Sequence, residues 1–252
     1  MTKHLRIATW NLQRPGWKSP RVPMIMEQIE AIDADIWILT ETHEVINLGE
    51  HYACVTSPTQ PLRRKGEVTT AIWTRCDLGQ TIPTFADQPD EPNPQFQTYA
   101  LRGPATSPAV CAEVTTPLGA VLVYGTIITW LQDKGPQGDA GYKVEQLHAI
   151  EKHRDDWTCI RNGQPMCVAG DFNVTLNGRI WGPREAREKL TEALEDNELN
   201  CVTNTFEYCI DHICLSKDWA ERVIRREQWQ PPTMDGKPVS DHRGSYVDVR
   251  LD

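Results

Sequence analysis

Met166-Cys167-Val168-Ala169-Gly170-Asp171-Phe172-Asn173 is an apolar run that empties into a glycine and then delivers an aspartate and an asparagine two residues apart. A short continuous apolar run bounded by a turn residue reads as a buried strand. Oxygen-bearing side chains at the end of such a strand suit a hard cation or a phosphate oxygen better than they suit a core. Strand-like alternation aims Asp171 and Asn173 the same way; an Asx turn after Gly170 is the structural alternative.

Working outward, similar strand ends recur. Leu5 to Thr9 is apolar enough to be buried and closes on Trp10-Asn11. Asn11 offers a carbonyl oxygen to a cation or an amide to a phosphate, unless it simply forms a turn. Ile36-Trp37-Ile38-Leu39-Thr40-Glu41 is a second buried strand closing on a carboxylate, which reads equally as a solvated strand terminus. Cys209-Ile210-Asp211-His212-Ile213 places an acid in an apolar strand, where an unpaired charge is costly, so Asp211 requires a partner. Val239-Ser240-Asp241-His242 supplies one, because a carboxylate holds a histidine in a single tautomer for acid–base work. His212 alternates to the other side of Asp211 and reads as structural, or as a contact at the substrate edge.

Composition narrows the classes. The chain has 252 residues and is 39% hydrophobic and 24% charged, ordinary values for a soluble globular protein. Its formal charge of -9 argues against coating long nucleic acid by bulk electrostatics, which needs Lys and Arg to neutralise phosphates. A nuclease remains compatible, since metal-binding carboxylates add to the negative count and a bound divalent cation reverses the local sign. The eight cysteines show no C-x-x-C spacing and several lie inside apolar runs, so they read as buried reduced thiols rather than a zinc site. No apolar h-region opens the chain and no run approaches a membrane helix, so the expectation is a soluble, cytoplasmic protein without membrane insertion.

Runs of β type are expected at Leu5 to Trp10, Ile36 to Leu39, Val68 to Trp73, Val110 to Val114, Ala120 to Ile128, Pro165 to Ala169, Ile210 to Leu215 and Ser245 to Leu251. Helical spacing is expected after the Ser19-Pro20 start through Ile32, from about Tyr142 to Trp157, and from about Pro183 to Asn197. The proline-rich stretch from Pro83 to Pro108 reads as an irregular excursion rather than a linker, because the same strand style resumes after it. Residues 1–252 are therefore read as one domain, with packed sheets and helices outside them.

The ordered set Thr9-Trp10-Asn11, Thr40-Glu41, Gly170-Asp171-Phe172-Asn173, Ile210-Asp211-His212 and Ser240-Asp241-His242 resembles the endonuclease/exonuclease/phosphatase superfamily, with a deoxyribonuclease I-like fold, from Leu5 to about Val249. The resemblance implies an α+β fold: a four-layer α/β/β/α sandwich of two mostly antiparallel β-sheets flanked by helices. It also implies phosphoester hydrolysis dependent on Mg²⁺ or Mn²⁺. Glu41 is then the principal metal ligand, with Asn11 and Asp241 close to the metal. Asp171 orients or deprotonates the attacking water, and Asn173 holds a phosphate oxygen. His242, paired with Asp211, contacts the scissile phosphate. Phosphoryl transfer needs mainly positioning and charge neutralisation, which this set provides.

One departure stands out. Many members carry a second histidine where this chain has Ile127, and Thr126, Tyr124 or Trp130 are the nearby groups that would cover part of its role. Glu67 is a loose match to a further acidic residue. Arg14, Arg179 and Arg243 follow motif positions as phosphate contacts. The clusters Arg63-Arg64-Lys65 and Arg222, Arg225, Arg226 read as solvated charge or as backbone contacts. Trp130 and Trp181, just past site-bearing segments, either stack a base or shape the pocket. The leading expectation is a phosphodiesterase acting on nucleic acid or a nucleotide, with no obligate protein partner. Its alternatives are a phosphomonoesterase for a phosphorylated lipid or sugar, and a binding protein of this fold with a lapsed site.

Overall fold

A computed structural model of the protein describes residues 3–57, 65–84, 109–131, 144–177 and 181–252. The expected strands at Pro165–Ala169 and Leu5–Trp10 are β8 (Met166–Asp171) and β1 (His4–Asn11), each running one or two residues further, to the polar residue that closes it. With β2 (Ile36–His43), β3 (Ala53–Thr56), β4 (Glu67–Thr74), β11 (Val223–Trp229) and β14 (Gly244–Arg250), β1 builds a six-stranded sheet in the order β11-β14-β1-β2-β4-β3. The second sheet contains β5 (Asp77–Ile82), β6 (Ala109–Thr116), β7 (Gly119–Ile127), β9 (Leu199–Cys201) and β10 (Asp211–Ser216) around β8, in the order β5-β6-β7-β8-β10-β9. Only β1–β2 and β7–β8 pair in parallel within these two sheets; the other pairs are antiparallel, and β12 (Thr233–Met234) and β13 (Lys237–Pro238) form a separate antiparallel ribbon.

Alternation sorts the side chains into three apolar layers. Leu5, Ile7, Ile36, Ile38, Val121, Val123, Cys167, Ala169, Ile213 and Val247 fill the space between the sheets. Trp10, Trp37 and Leu39, on the other face of the first sheet, pack on Ile25 and Ile29 of α1 (Val22–Ile32). Leu122, Tyr124, Met166, Val168 and Cys214, on the outer face of the second, pack on α2 (Val144–Arg161) and α3 (Arg184–Asp196). The result is the four-layer sandwich expected from the sequence. Among the described residues no helix is long and apolar enough to cross a membrane.

One helix start differs from expectation. Helix α1 begins at Val22 with Pro23 in its first turn, and the preceding Arg21 makes no side-chain cap; Ser19-Pro20 lies outside the helix. The start of the second helix was expected near Tyr142, which lies outside the described residues; α2 continues past Trp157 to Arg161.

Helix α2 also buries an ionisable group. His153 is fully buried; its Nδ1–H donates to the Ala149 carbonyl at 2.6 Å and its Nε2 accepts from the Thr126 hydroxyl at 2.6 Å. Burial pushes its pKa down to about 4. The folded protein thus binds this proton less readily than the unfolded chain, whose histidine titrates near 6.5. The associated stability is fully present above about pH 6.5 and is lost as pH falls toward 4, a loss of about 3 kcal/mol. Urea titrations at about pH 7 and about pH 4 should show this drop, and His153→Gln should flatten it; a drop of equal size in the variant would refute the assignment.

Candidate functional site

The two parallel pairs place the C-terminal ends of β1, β2, β7 and β8 at one edge of the sandwich, where their antiparallel neighbours β10 and β14 begin. Odd-numbered residues of β8 and β10 face the inter-sheet layer, since Cys167, Ala169, Ile213 and Leu215 do. Asp171 and Asp211 continue that face and are direct cross-strand partners. Asn11 continues the same face of β1 beyond Leu5 and Ile7. The sequence therefore closes several buried rows on polar residues at one spot.

There the side chains meet. Asn11 Nδ2 donates to Asp171 Oδ2 at 3.0 Å, and the Asn173 backbone N–H donates to Asp171 Oδ1 at 2.9 Å. His242 Nδ1–H donates to Asp211 Oδ2 at 2.7 Å, which turns Nε2 toward Asp171 Oδ2 and Asp241 Oδ1, each 3.9 Å away. Ser240 braces the turn: its hydroxyl donates to the Asn11 carbonyl at 2.6 Å and accepts from the His242 N–H at 3.1 Å. Trp10 Nε1 donates to the His242 carbonyl at 3.1 Å from the other side. Arg14 forms an ion pair with Glu41.

Electrostatics follow from burial. Asp171 is 2% exposed, and burial lifts its carboxyl to about 7; the His242 charge pulls against this and Asp211 adds to it. Burial opposes charge on His242 as well, but the carboxylates of Asp211 and Asp171 outweigh it and hold the ring protonated up to about 10. Asp211 Oδ1 is buried without a hydrogen-bond partner among the described residues. The backbone is strained here too: Gln13, Arg14, Glu41, Asn173 and Tyr208 all have φ between 46° and 56°. Such conformations cost a non-glycine residue about 1 kcal/mol or more and concentrate where function over-determines the structure.

Most of the expected residues are brought together, with corrections. Thr126 does not reach the cluster: it faces the helix layer, is fully buried, and its hydroxyl bonds His153. Tyr124 is on the same outer face, donating to Asp156 Oδ2 at 2.7 Å. Ile127 is the residue beside Asp171 in register, so an apolar side chain lies on the site face of β7. Asn173 is not a continuation of the strand. Beta8 ends at Asp171, the Asx turn forms, and the Asn173 amide donates to the Ile128 carbonyl at 2.9 Å. His212 is structural: Nε2–H donates to Val174 O at 3.0 Å and Nδ1 lies 3.2 Å from the Thr203 hydroxyl. Glu67 opposes His43 in the β2–β4 register. Arg243 lies over the Tyr208 ring at 5.3 Å and reaches Gln228 Oε1 at 3.3 Å, and Trp130 is exposed beyond β7. Arg63, Arg64 and Arg179 lie outside the described residues. Sequence reasoning missed Ser240 and Trp10 as braces; a serine two residues before a histidine carries the signature of a side-chain-capped turn.

Glu41, Asn11 and Asp241, expected as metal ligands, carry oxygen donors of the kind a hard divalent cation takes, and Asn11 Oδ1 accepts the Gln13 N–H at 2.9 Å. Ligand-type atoms of Asp171, Asp211 and His242 also lie within 4.8 Å of one another. The last three are a poorer cation cage, because Asp211 Oδ2 is committed to His242 and a protonated imidazole repels a cation.

The profile of the Endonuclease/Exonuclease/phosphatase family matches residues 8–242. No curated protein matches the chain. Among solved structures, the chain is similar to an AP endonuclease from Archaeoglobus fulgidus, with a TM-score of 0.67 and 16% identity, covering 96% of this chain and 98% of that one. It is also similar to a 3'-5' exonuclease from Neisseria meningitidis, with a TM-score of 0.63 and 18% identity over 98% of this chain and 100% of that one. An endonuclease/exonuclease/phosphatase from Beutenbergia cavernae gives a TM-score of 0.66 at 16% identity, over 99% and 72% respectively. At these identities the structural likeness establishes the fold.

Proposed function

The chain belongs to the Endonuclease/Exonuclease/phosphatase family, a family of phosphoester hydrolases, and on that premise we propose that it is a divalent-metal-dependent phosphodiesterase cleaving nucleic acid or a nucleotide. The observation that carries the reading is the buried Asp171 held by Asn11 and the Asn173 N–H opposite the His242–Asp211 pair. Two titratable groups with environments that push them apart divide the base and acid roles. Asp171, its carboxyl near 7, takes the proton of the attacking water. Asn11 fixes the orientation of that carboxylate. Asp211 fixes the His242 tautomer, and the charged ring faces the phosphate through Nε2, stabilising developing charge and supplying a proton to the leaving oxygen. Ile127 beside Asp171 keeps that wall of the cleft apolar, which leaves His242 as the proton donor in this reading.

Glu41, Asn11 and Asp241 would hold Mg²⁺ or Mn²⁺, which supplies charge neutralisation at the phosphate oxygens. Arg14, paired with Glu41, then passes to the substrate phosphate, and Asn173 and Arg243 complete the contacts at the rim. The similar structures of an AP endonuclease and a 3'-5' exonuclease favour nucleic acid over a lipid or sugar phosphate. Residues 1–252 act in this reading as one cytoplasmic domain that meets its substrate transiently.

Product release from single-stranded, duplex and abasic DNA, RNA, inositol phosphates and a generic phosphodiester, with Mg²⁺ and with Mn²⁺, tests the proposal. Metal-dependent turnover of a nucleic acid is expected; turnover confined to inositol phosphates points to the phosphomonoesterase, and none at all refutes both. Separately, Glu41→Gln should weaken calorimetric Mn²⁺ binding at least about tenfold, because affinity for a hard cation follows the charge count of its oxygen ligands. Undiminished binding would remove Glu41 from the metal site.

A further inference from the structure

Five large apolar side chains are exposed among the described residues, and four of them, Trp17, Trp130, Trp181 and Tyr208, are aromatic. All four ride on loops at the site edge of the sandwich. Trp17 follows β1 and packs edge-on against His43, two residues past Glu41, with ring centroids 5.4 Å apart. Trp130 lies three residues past Ile127, on the segment whose Ile128 carbonyl accepts the Asn173 amide. Trp181 is pinned to the turn after Asn173, its carbonyl accepting from the Thr175 N–H and hydroxyl, both at 3.0 Å. Tyr208 lies three residues before Asp211 and under the guanidinium of Arg243, the neighbour of His242. The four rings thus ride on loops that leave the site edge of the sandwich, one from the first sheet and three from the second. The fifth exposed residue, Ile224, is on β11, an edge strand.

A single exposed ring is ordinary, but four on loops at the one edge that carries the site mark a surface for a partner with flat faces. We propose that they form a stacking rim for the unpaired bases of a single-stranded nucleic acid, the strand's phosphate lying at the cleft; this rests on the phosphodiesterase reading. Bases in a duplex are already stacked on one another and offer no free faces, whereas each base of a single strand does. The charge balance agrees. Duplex binding without stacking relies on many Lys and Arg contacts to phosphate, and the chain carries a net charge of -9. Stacking is indifferent to that charge and to base identity, so it supplies affinity where phosphate neutralisation is weak. A lipid surface is less well matched, because the four loops also carry or adjoin the carboxylates of Glu41, Asp171 and Asp211.

The test compares binding with and without bases. In the Asp171→Asn chain with Mn²⁺, the Kd is measured for a short thymidine strand, a base-less strand of the same length, the corresponding duplex and zwitterionic lipid vesicles, with DNA and RNA versions of the base-bearing strand. The thymidine strand is expected to bind at least about tenfold tighter than the base-less strand, and Trp130→Ala, Trp181→Ala and Tyr208→Ala each to weaken it about 5- to 100-fold. The base-less strand should barely respond to these variants, and Ile224→Ala should change nothing. Equal affinity for the two strands, preference for the duplex, or binding to vesicles alone would overturn the proposal. Hydrolysis of strands by the unmodified protein without any base dependence removes the rim and leaves the phosphodiesterase. Base-dependent binding without metal-dependent turnover does the reverse.

Discussion

Asp171→Asn should lower turnover of any phosphodiester substrate by about 10²–10⁴-fold, the contribution of a positioned general base. The substitution keeps the shape of the side chain and the acceptor oxygen that receives the Asn173 N–H, but it turns the other oxygen, which accepts from Asn11 Nδ2, into a donor. It removes a carboxylate that is 2% exposed, so the fold is expected to tolerate it. The sign can be worked out. A carboxyl raised from 3.8 to about 7 on folding makes the protein lose stability as pH rises across that interval, and at about pH 8 the cost is fully present. Replacing it by a neutral amide lifts that cost while depriving His242 of one of its two buried counter-charges. The broken Asn11 hydrogen bond, about 1–3 kcal/mol, works against that relief, so the Tm at about pH 8 should stay close to that of the unmodified protein, measured beside kcat. Turnover that survives in a folded variant would refute the assignment of Asp171, whatever the substrate proves to be.

What the sequence made legible was the interior of each sheet. The eight strands expected from apolar runs became β1, β2, β4, β6, β7, β8, β10 and β14, which occupy the inner positions of the two sheets. Within these two sheets the strands it did not mark, β3, β5, β9 and β11, are the four edges. An edge strand has one unpaired side and little to bury, so its composition is not apolar. Val223-Ile224-Arg225-Arg226-Glu227-Gln228-Trp229 is largely exposed, and Arg225 and Arg226 of the basic cluster, read as solvated charge or as backbone contacts, lie on strand β11. Charged side chains on such an edge also discourage pairing with another chain, which is why the strand looks unlike one.

At the site, residues inside the motifs were legible because a buried acid announces its need for a partner. Asp211 required one and His242 lies 2.7 Å away. The errors came from facing. Thr126 and Tyr124 neighbour Ile127 in sequence, yet strand alternation sends even-numbered residues of β7 to the helices, where His153 and Asp156 engage them. The presence of a polar residue near a motif carried no information until its face was known. Arg14, expected as a phosphate contact, forms an ion pair with Glu41. That pairing depends on left-handed backbone at both residues, which no periodicity reveals.

Gly170→Ala should be the most destabilising single substitution at the site, costing more than about 4 kcal/mol, well beyond the usual range for one residue. Gly170 has φ +138°, and a Cβ there would lie 1.9 Å from the Thr126 carbonyl oxygen. The obstacle is backbone of the parallel neighbour β7, in register with Gly170, so no side chain can swing aside. Relief requires β7 and β8 to part, which displaces Asp171 from Asn11 and from its cross-strand partner Asp211. Gly163→Ala isolates the two contributions, because Gly163 also has positive φ, +78°, but open space around its would-be Cβ. That variant should lose only about 1–2 kcal/mol, the conformational penalty alone. Urea midpoints of the two variants measure the difference, and Mn²⁺-dependent turnover of whatever Gly170→Ala remains folded should fall with it. Equal costs would mean that the strands can separate cheaply. In that case the glycine would not be what turns the apolar run of Met166 to Ala169 into a precise delivery of Asp171.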